Sequence, residues 1–173
     1  MKKGKSWKST STEMDGKADV LAVALRILTR RDHSEAELRR KLQERGFDDS
    51  EADAALLKMR GLGYLDDRRF ARQWAESAIR NGRGFGPRIR LELLRRGVAE
   101  AIIGEVLAFL NGDYQERQVL ETLVARKFGT FDYRRSEERE KRRVVAYLQR
   151  RGFSLSLILD VLHEHEGCRG NLF

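Results

Sequence analysis

Three segments of the chain superimpose on one another when they are aligned on a glycine. The glycines lie 51 and 55 residues apart. Each glycine has an arginine immediately before it, a leucine four residues before it and another apolar residue eight residues before it. The four-residue step places the apolar pair on one helix face, and glycine after the last turn adopts the left-handed conformation that ends a helix. The pattern therefore predicts three copies of one helical module. The aligned positions are Leu38, Leu42, Arg45 and Gly46, then Ile89, Leu93, Arg96 and Gly97, then Val144, Leu148, Arg151 and Gly152.

Two further helices complete each module. An amphipathic helix precedes each aligned segment, and an apolar pair stands nine and ten residues after each glycine. The chain has one proline, Pro87, and β-branched runs are scarce, so no segment is typical of a strand. We therefore predict an all-α fold of three tandem three-helix repeats, with about nine helices. The expected repeats span residues 18–62, 63–111 and 112–166, between a flexible basic tail over 1–17 and a C-terminal tail over 167–173.

Local signals predict where several helices begin. Ser34 with Glu37 predicts a capping box, Asp66 and Asp67 can cap the helix that carries Phe70, and Pro87 suits a first helical turn.

The loop over residues 81–87 contains three glycines but lacks the Gly-Lys-Ser/Thr ending of a P-loop, so we predict a flexible hinge between repeats. Its Phe85 is a candidate either to stack on a nucleobase or to pack within the loop.

A formal net charge of +8 makes a polyanion the expected partner: nucleic acid, an acidic protein surface or anionic lipid. Arginine is concentrated on the middle helices and their entry loops, with net charges of +3 over residues 26–45, +5 over 80–96 and +5 over 134–151. Because the middle helices are equivalent in a repeat stack, their basic faces are expected to align into a stripe that follows a phosphate backbone or an acidic groove. The alternative interpretation is that they are ordinary solvated faces.

An enzyme active site has little support in this sequence. No serine, cysteine or histidine lies in a recognisable nucleophile context, and the acidic residues are mostly interleaved with arginines. His163, His165 and Cys168 are the one cluster of metal-ligand type, but two histidines at i and i+2 diverge on a helix, so no metal or cofactor is predicted. His33, beside the capping serine, is expected at the surface.

The sequence also predicts where the protein works. No apolar run approaches the ~20 residues of a membrane span, no secretion signal is recognisable, and a lone cysteine suits a reducing compartment. We therefore expect a cytoplasmic protein with no membrane partner.

Three segments, in this order, resemble the bacterial RecX family: RDHSEAELRRKL at 31–42, GYLDDRRFA at 63–71, and Gly86-Pro87 leading to Glu92-Leu93 and Gly97. The resemblance runs from about Val20 to about Leu162. It implies an elongated, curved stack of three repeats and, as partner, the RecA recombinase assembled as a filament on single-stranded DNA. It further implies a regulator that lies in the filament groove or at its growing end and lowers ATP hydrolysis, strand exchange and coprotease activity without catalysis of its own. Roles in homologous recombination, DNA repair and the SOS response are implied with it.

The predicted contacts with RecA or DNA are arginines of the middle helices and of the glycine loop. We expect a monomer that binds single-stranded DNA, with double-stranded DNA as a further candidate. The alternative function is a stand-alone DNA-binding protein that uses the last two helices of a repeat as a helix-turn-helix. The contact candidates are Arg39, Arg40, Arg83, Arg88, Arg90, Arg95, Arg96, Arg142, Arg143, Arg150 and Arg151, and the residues predicted to be structural are Leu42, Gly46, Tyr64, Leu65, Asp66, Phe70, Trp74, Gly86, Pro87, Leu93, Gly97, Leu148 and Gly152.

Overall fold

The computed structural model describes residues 19–167, which contain nine helices and no strand. In each group of three, the first and the second helix both pack on the third. The described residues thus confirm the predicted all-α fold of three tandem three-helix repeats. The predicted tail over 1–17 lies outside these residues, as do positions 168–173. The helices are α1 (Val20–Leu28), α2 (Glu35–Gln43), α3 (Asp49–Gly61), α4 (Asp67–Arg80), α5 (Gly86–Arg95), α6 (Glu100–Asp113), α7 (Glu116–Phe128), α8 (Glu138–Arg150) and α9 (Leu155–Gly167).

The three aligned glycines end the middle helices as the sequence predicts. Gly46, Gly97 and Gly152 have φ angles of +85°, +77° and +98°, the left-handed region that a side chain disfavours. The leucines four residues before them, Leu42, Leu93 and Leu148, are completely buried. The glycine therefore fixes where each middle helix ends, and the leucine marks the face that the helix turns inward.

The first turn of α2 differs from its prediction. Ser34 caps the helix by accepting a hydrogen bond from the Glu37 amide at 3.1 Å. The predicted capping box is nevertheless wrong, because the Glu37 side chain turns away to other partners instead of returning to the Ser34 amide. A complete box forms at α3, where Asp48 and Glu51 each accept a hydrogen bond from the other's amide.

Asp66 and Asp67 act on different helices. Asp66 caps α4 as predicted, by accepting hydrogen bonds from two amides of its first turn. Asp67, however, accepts a hydrogen bond from the Glu35 amide at 2.8 Å and so caps α2 of the preceding repeat. Pro87 lies in the first turn of α5, where its missing N–H costs nothing.

The apolar side chains of the described residues form two separate cores. One core is formed by the first repeat together with Leu65 from the start of the second, and it includes Leu38 and Leu42. The other runs without interruption from α4 to α9 and includes Leu93 and Leu148. The second and third repeats therefore share one core, whereas the first repeat has a core of its own.

Adjacent repeats meet, at both junctions, through a hydrogen bond between equivalent positions, with a side-chain donor at the first and a backbone donor at the second. At the first junction, between repeats one and two, the Ser34 hydroxyl donates to the carbonyl of Arg96 at 2.5 Å. At the second junction, between repeats two and three, the Phe85 amide donates to the carbonyl of Arg151 at 2.9 Å. Ser34 and Phe85 are the N-cap residues of α2 and α5. The N-cap of one middle helix thus binds the C-terminal end of the next.

Glycine is required at both junctions for a second reason. A Cβ on Gly97 would overlap Ala36, and a Cβ on Gly152 would overlap the Phe85 carbonyl. At Gly46, by contrast, a Cβ would meet nothing within 4 Å among the described residues. The Arg-Gly pair that defines the repeat therefore also provides the surface on which the preceding repeat packs.

The hinge predicted for residues 81–87 is wrong. The Phe85 ring is buried and stacks on Phe153 of the third repeat, with ring centroids 5.9 Å apart and planes 12° apart. Arg151 also donates a hydrogen bond to the carbonyl of Arg83 at 2.9 Å. Because the loop packs into the core that repeats two and three share, it fixes these repeats together, and Phe85 is not available to a nucleobase.

Candidate nucleic-acid interface

The middle helix of the third repeat carries a row of exposed arginines on the face opposite Leu148. We call Arg139, Arg142, Arg143 and Arg150 the α8 arginine row; spacings of three, four and seven residues bring them together on that face. Within residues 19–167, none of the four donates a hydrogen bond or forms a close ion pair. Their guanidinium groups are therefore open to an external anion, although Arg142 lies close enough to Glu138 for its charge to help lower the pKa of that carboxyl.

The candidate arginines of α2 and α5 are in a different electrostatic situation, because each of those exposed to solvent has a carboxylate beside it. Exposed pairs of this kind contribute at most about 1 kcal/mol each. Their carboxylates nonetheless offset the positive charge that a phosphate would otherwise meet. The pairs are Arg39 with Asp53, Arg40 with Glu44 (3.8 Å), Arg88 and Arg95 with Glu92 (2.5 and 3.3 Å), and Arg90 with Glu100.

Arg96 lies inside the first junction. Its guanidinium donates to the buried Glu37 carboxylate at 2.6 Å and lies 5.0 Å from the centroid of the Trp74 ring. The same carboxylate accepts hydrogen bonds from Arg31 and His33, both at 3.0 Å. The cluster joins the start of α2 to the end of α5, so Arg96 contributes to the packing of the first repeat on the second.

The pKa values of Glu37 and His33 are both lowered in this cluster. Burial by itself would raise the pKa of Glu37, but hydrogen bonds from His33 and Arg96 and the charges of Arg31 and Arg96 outweigh it, and the pKa is lowered. Burial lowers the pKa of His33 by more than the hydrogen bond to Glu37 raises it. Because an ionised carboxylate only accepts, neutral His33 donates from Nδ1. The expectation that His33 lies at the surface is wrong, since its ring is buried against this carboxylate.

Arg151 and Arg83 belong to the second junction. Besides its bond to the Arg83 carbonyl, the Arg151 guanidinium lies 4.8 Å from the centroid of the Tyr147 ring. The Arg83 side chain donates to the Ser77 hydroxyl at 2.8 Å. Among the eleven candidate arginines, Arg83, Arg96 and Arg151 are thus held by the protein itself, and Arg142, Arg143 and Arg150 remain the candidates with open charge.

The residues predicted to be structural lie mostly inside the fold. Leu65 and Phe70 are buried, and Trp74 is partly buried beneath Arg96. Gly86, with a φ of +41°, makes the turn into α5. Tyr64 differs from the others, because its side chain is 51% exposed while its carbonyl accepts a hydrogen bond from Arg69. The chain turns Leu65 inward at this point and so leaves the neighbouring Tyr64 outside.

Among the described residues, no group of three or more histidines, cysteines or acids could hold a metal ion. Of the predicted cluster, His163 is exposed and meets the Tyr133 ring edge-on at 4.8 Å, whereas the His165 side chain and Cys168 lie outside the described part. In the part of the chain that the structure covers, no helix has the length and hydropathy needed to cross a membrane.

Two features escaped the sequence prediction. Arg139 was missed, although its spacing from Arg143 and Arg150 indicates the shared face. An exposed phenyl ring, Phe109, was also missed; twelve residues after the aligned glycine, where the second repeat has Phe109, the other repeats have Lys58 and Glu164. Comparing positions between repeats would have identified it.

Comparison with protein families gives matches over most of the chain. Residues 21–59 match the family model "RecX, first three-helix domain", residues 66–107 match the second such domain, and residues 113–162 match the third.

Individual relatives agree with the family models. The chain is 34% identical to the regulatory protein RecX of Syntrophotalea carbinolica over 87% of its own length and 99% of the relative's. It is 40% identical to that of Trichlorobacter lovleyi, covering 85% of this chain and 96% of the relative. A crystal structure of regulatory protein RecX superimposes with a TM-score of 0.65 at 25% identity, covering 82% of this chain and 70% of that one. The RecX structure from Lactobacillus salivarius gives 0.68 at 20% identity, over 85% and 94%, and supports the fold alone.

Proposed function

Because the chain belongs to the RecX family of regulatory proteins, we propose that it is a nonenzymatic inhibitor of the RecA recombinase. In this proposal it binds the RecA filament on single-stranded DNA, in the groove or at the growing end, and lowers ATP hydrolysis, strand exchange and coprotease activity. It then acts as a monomer in the cytoplasm, in recombination, DNA repair and the SOS response. The designation of its relatives as regulatory proteins supports a role without catalysis.

The α8 arginine row is the observation that carries this proposal. Four exposed guanidinium groups on one face match the repeating negative charge of a nucleic-acid backbone, and arginine binds phosphate through two parallel hydrogen bonds. The row needs no rearrangement of internal ion pairs before it meets an anion. Neutralisation of phosphates by such a row makes binding strongly dependent on salt.

The paired arginines of α2 and α5 provide a second kind of contact. Arg40 and Arg90 are exposed and Arg39 is partly exposed, and such pairs are weak, so an acidic protein surface can exchange with their carboxylates. Several modest contacts on one scaffold act together at high effective concentration, provided that the partner repeats at a matching distance. A filament of identical subunits is a partner of that kind.

The test is steady-state ATP hydrolysis by the cognate RecA on single-stranded DNA, titrated with this protein. The variant Arg142→Ala/Arg143→Ala/Arg150→Ala removes three of the four charges of the α8 arginine row, and Arg39→Ala/Arg40→Ala/Arg90→Ala removes the same charge from paired positions. We expect the wild type to inhibit below stoichiometric amounts. The α8 variant should need at least about tenfold more protein, and in direct DNA binding its log–log salt slope should fall by about 2.

The matched variant decides what the result means. If both variants weaken direct DNA binding equally, net charge rather than the α8 arginine row is responsible for the DNA contact. Loss of inhibition with retained DNA binding in the Arg39→Ala/Arg40→Ala/Arg90→Ala variant would instead assign those arginines to the RecA surface. If stoichiometric wild type leaves hydrolysis unchanged, RecA is not the target. Sequence-selective binding to duplex DNA that RecA does not alter would then support the stand-alone DNA-binding function.

A further inference from the structure

A groove between α4 and α6 of the second repeat has an exposed phenyl ring in its wall. Phe109 is 47% exposed, and the guanidinium carbon of Arg72 lies 4.0 Å from the ring centroid. Val106 lies at the buried side of the groove, and Arg68 and Arg69 lie along its α4 side. Its volume of about 420 Å³ is in the range of sites that hold small organic ligands.

Comparison between the repeats indicates that Phe109 is not needed for packing. The equivalent position of the third repeat is Glu164, which forms an ion pair with Arg117 of the leading helix α7. In the second repeat, the leading helix α4 presents Arg72 to a phenyl ring at that position. Phe109 does not belong to the buried core, whereas Val106 and Leu110 of the same helix do. An arginine contact is thus kept, while the carboxylate is replaced by an exposed aromatic ring.

We propose that this groove binds one unpaired nucleobase of single-stranded DNA, stacked on Phe109, with the neighbouring phosphate held by the arginines of α4. Nucleobases stack on aromatic rings and on the planar guanidinium of arginine. Arg72 covers one face of the Phe109 ring, and the base uses the ring surface that remains exposed. The inference rests on the proposed function, because the DNA of the filament supplies the unpaired base. A duplex keeps its base faces stacked and offers none to Phe109.

The arginines beside the ring favour a nucleotide over other occupants. Arg68 pairs with Glu105 at 2.6 Å, but both side chains are more than half exposed, so a phosphate can take the place of the carboxylate. Arg69 is held in position by the carbonyl of Gly63 at 3.0 Å. An apolar side chain of a protein partner would fill the space beside Phe109 but would make no use of these arginines.

Fluorescence anisotropy with labelled oligo(dT) and with an abasic strand of equal length tests the proposal. The variants are Phe109→Ala, Phe109→Trp and, as a matched control, Leu155→Ala, since Leu155 is 48% exposed and lies in another repeat. We expect the wild type to prefer oligo(dT) to the abasic strand. Phe109→Ala should weaken oligo(dT) binding by about 5- to 100-fold and abasic binding by less than about twofold. Phe109→Trp should retain the preference, and Leu155→Ala should match the wild type.

Three outcomes overturn the proposal: a wild type that does not prefer oligo(dT), a Phe109→Ala variant that loses both ligands equally, or one that keeps oligo(dT) affinity but loses its effect on RecA. The last would assign the groove to a protein side chain. ATP hydrolysis by RecA, measured in parallel, separates this inference from the proposed function. Unchanged hydrolysis with Phe109-dependent oligo(dT) binding refutes inhibition alone, whereas inhibition without that dependence refutes stacking alone.

Discussion

Replacing Glu37 with glutamine should loosen the attachment of the first repeat to the second. Glu37 is 3% exposed, and its carboxylate is the shared acceptor for Arg96, Arg31 and His33. Glutamine keeps the shape but removes the charge, so the Arg96 guanidinium loses its anion. Arg96 Nε is already buried and has no hydrogen-bond partner within residues 19–167, so the guanidinium has little left to compensate it.

The magnitude follows from the burial of the two partners. Breaking a fully buried pair by removing one partner costs about 3–5 kcal/mol. The Arg96 side chain is 29% exposed and can recruit water, so we expect Glu37→Gln to lower the free energy of unfolding by about 2–3 kcal/mol. Glu44→Gln is the matched control, because Glu44 is exposed and lies 3.8 Å from Arg40; it should change stability by less than about 0.5 kcal/mol.

Urea unfolding followed by far-ultraviolet circular dichroism measures this effect. Because the first repeat has its own core, Glu37→Gln should separate its unfolding from that of α4–α9, which appears as a lower m-value or a second transition. Adding Arg96→Met should cost little more, since both changes remove the same pair. Strictly additive losses, or a Glu37→Gln midpoint equal to that of the wild type, would refute the reasoning.

Three further predictions concern the junctions. Burial lowers the pKa of His33, so the unfolded chain takes up that proton at higher pH than the folded chain does; stability in thermal melts should fall from about pH 7 to about pH 5, and a His33→Gln variant with the same slope would contradict this. Gly46→Ala should cost about 1–2 kcal/mol of backbone strain, and Gly97→Ala at least about 1 kcal/mol more because its Cβ overlaps Ala36; equal losses in urea would mean that the repeats do not pack this closely. Phe85→Ala should cost about 3–5 kcal/mol and Tyr64→Ala less than about 1 kcal/mol, whereas a mobile loop would make the two alike.

The fold is predictable because its determinants are close together in sequence. Leu42 and Gly46 are one helical turn apart, and the same spacing at Leu93 and Gly97 shows that a module is repeated. Helix periodicity and glycine termination act over a few residues, so one sequence suffices to locate them.

Local sequence does not predict whether a candidate arginine is open to solvent or paired within the protein. Arg96 and Glu37 are 59 positions apart, and Ser34 bonds to a carbonyl 62 positions away. Whether an arginine is exposed or forms part of a junction depends on how one repeat docks on the next, and local charge does not contain that information. Net charges of +5 were equal over 80–96 and 134–151, yet in the described residues only the second region has several arginines without partners.

The two junctions use equivalent acceptor carbonyls, those of Arg96 and Arg151, but different donors and side chains, and the difference bears on function. The second junction stacks Phe85 on Phe153 within a continuous apolar core, so α4–α9 form one cooperative unit. The α8 arginine row and the Phe109 groove both belong to that unit, and their separation is therefore fixed. A DNA strand bound at one of these sites is held near the other at a constant effective concentration. Removing both sites should therefore lower DNA affinity by more than it would if the two sites bound DNA independently of each other. The first repeat, by contrast, is attached partly through the Glu37 ion-pair cluster, so the strength of its attachment depends on the charges of Glu37 and Arg96.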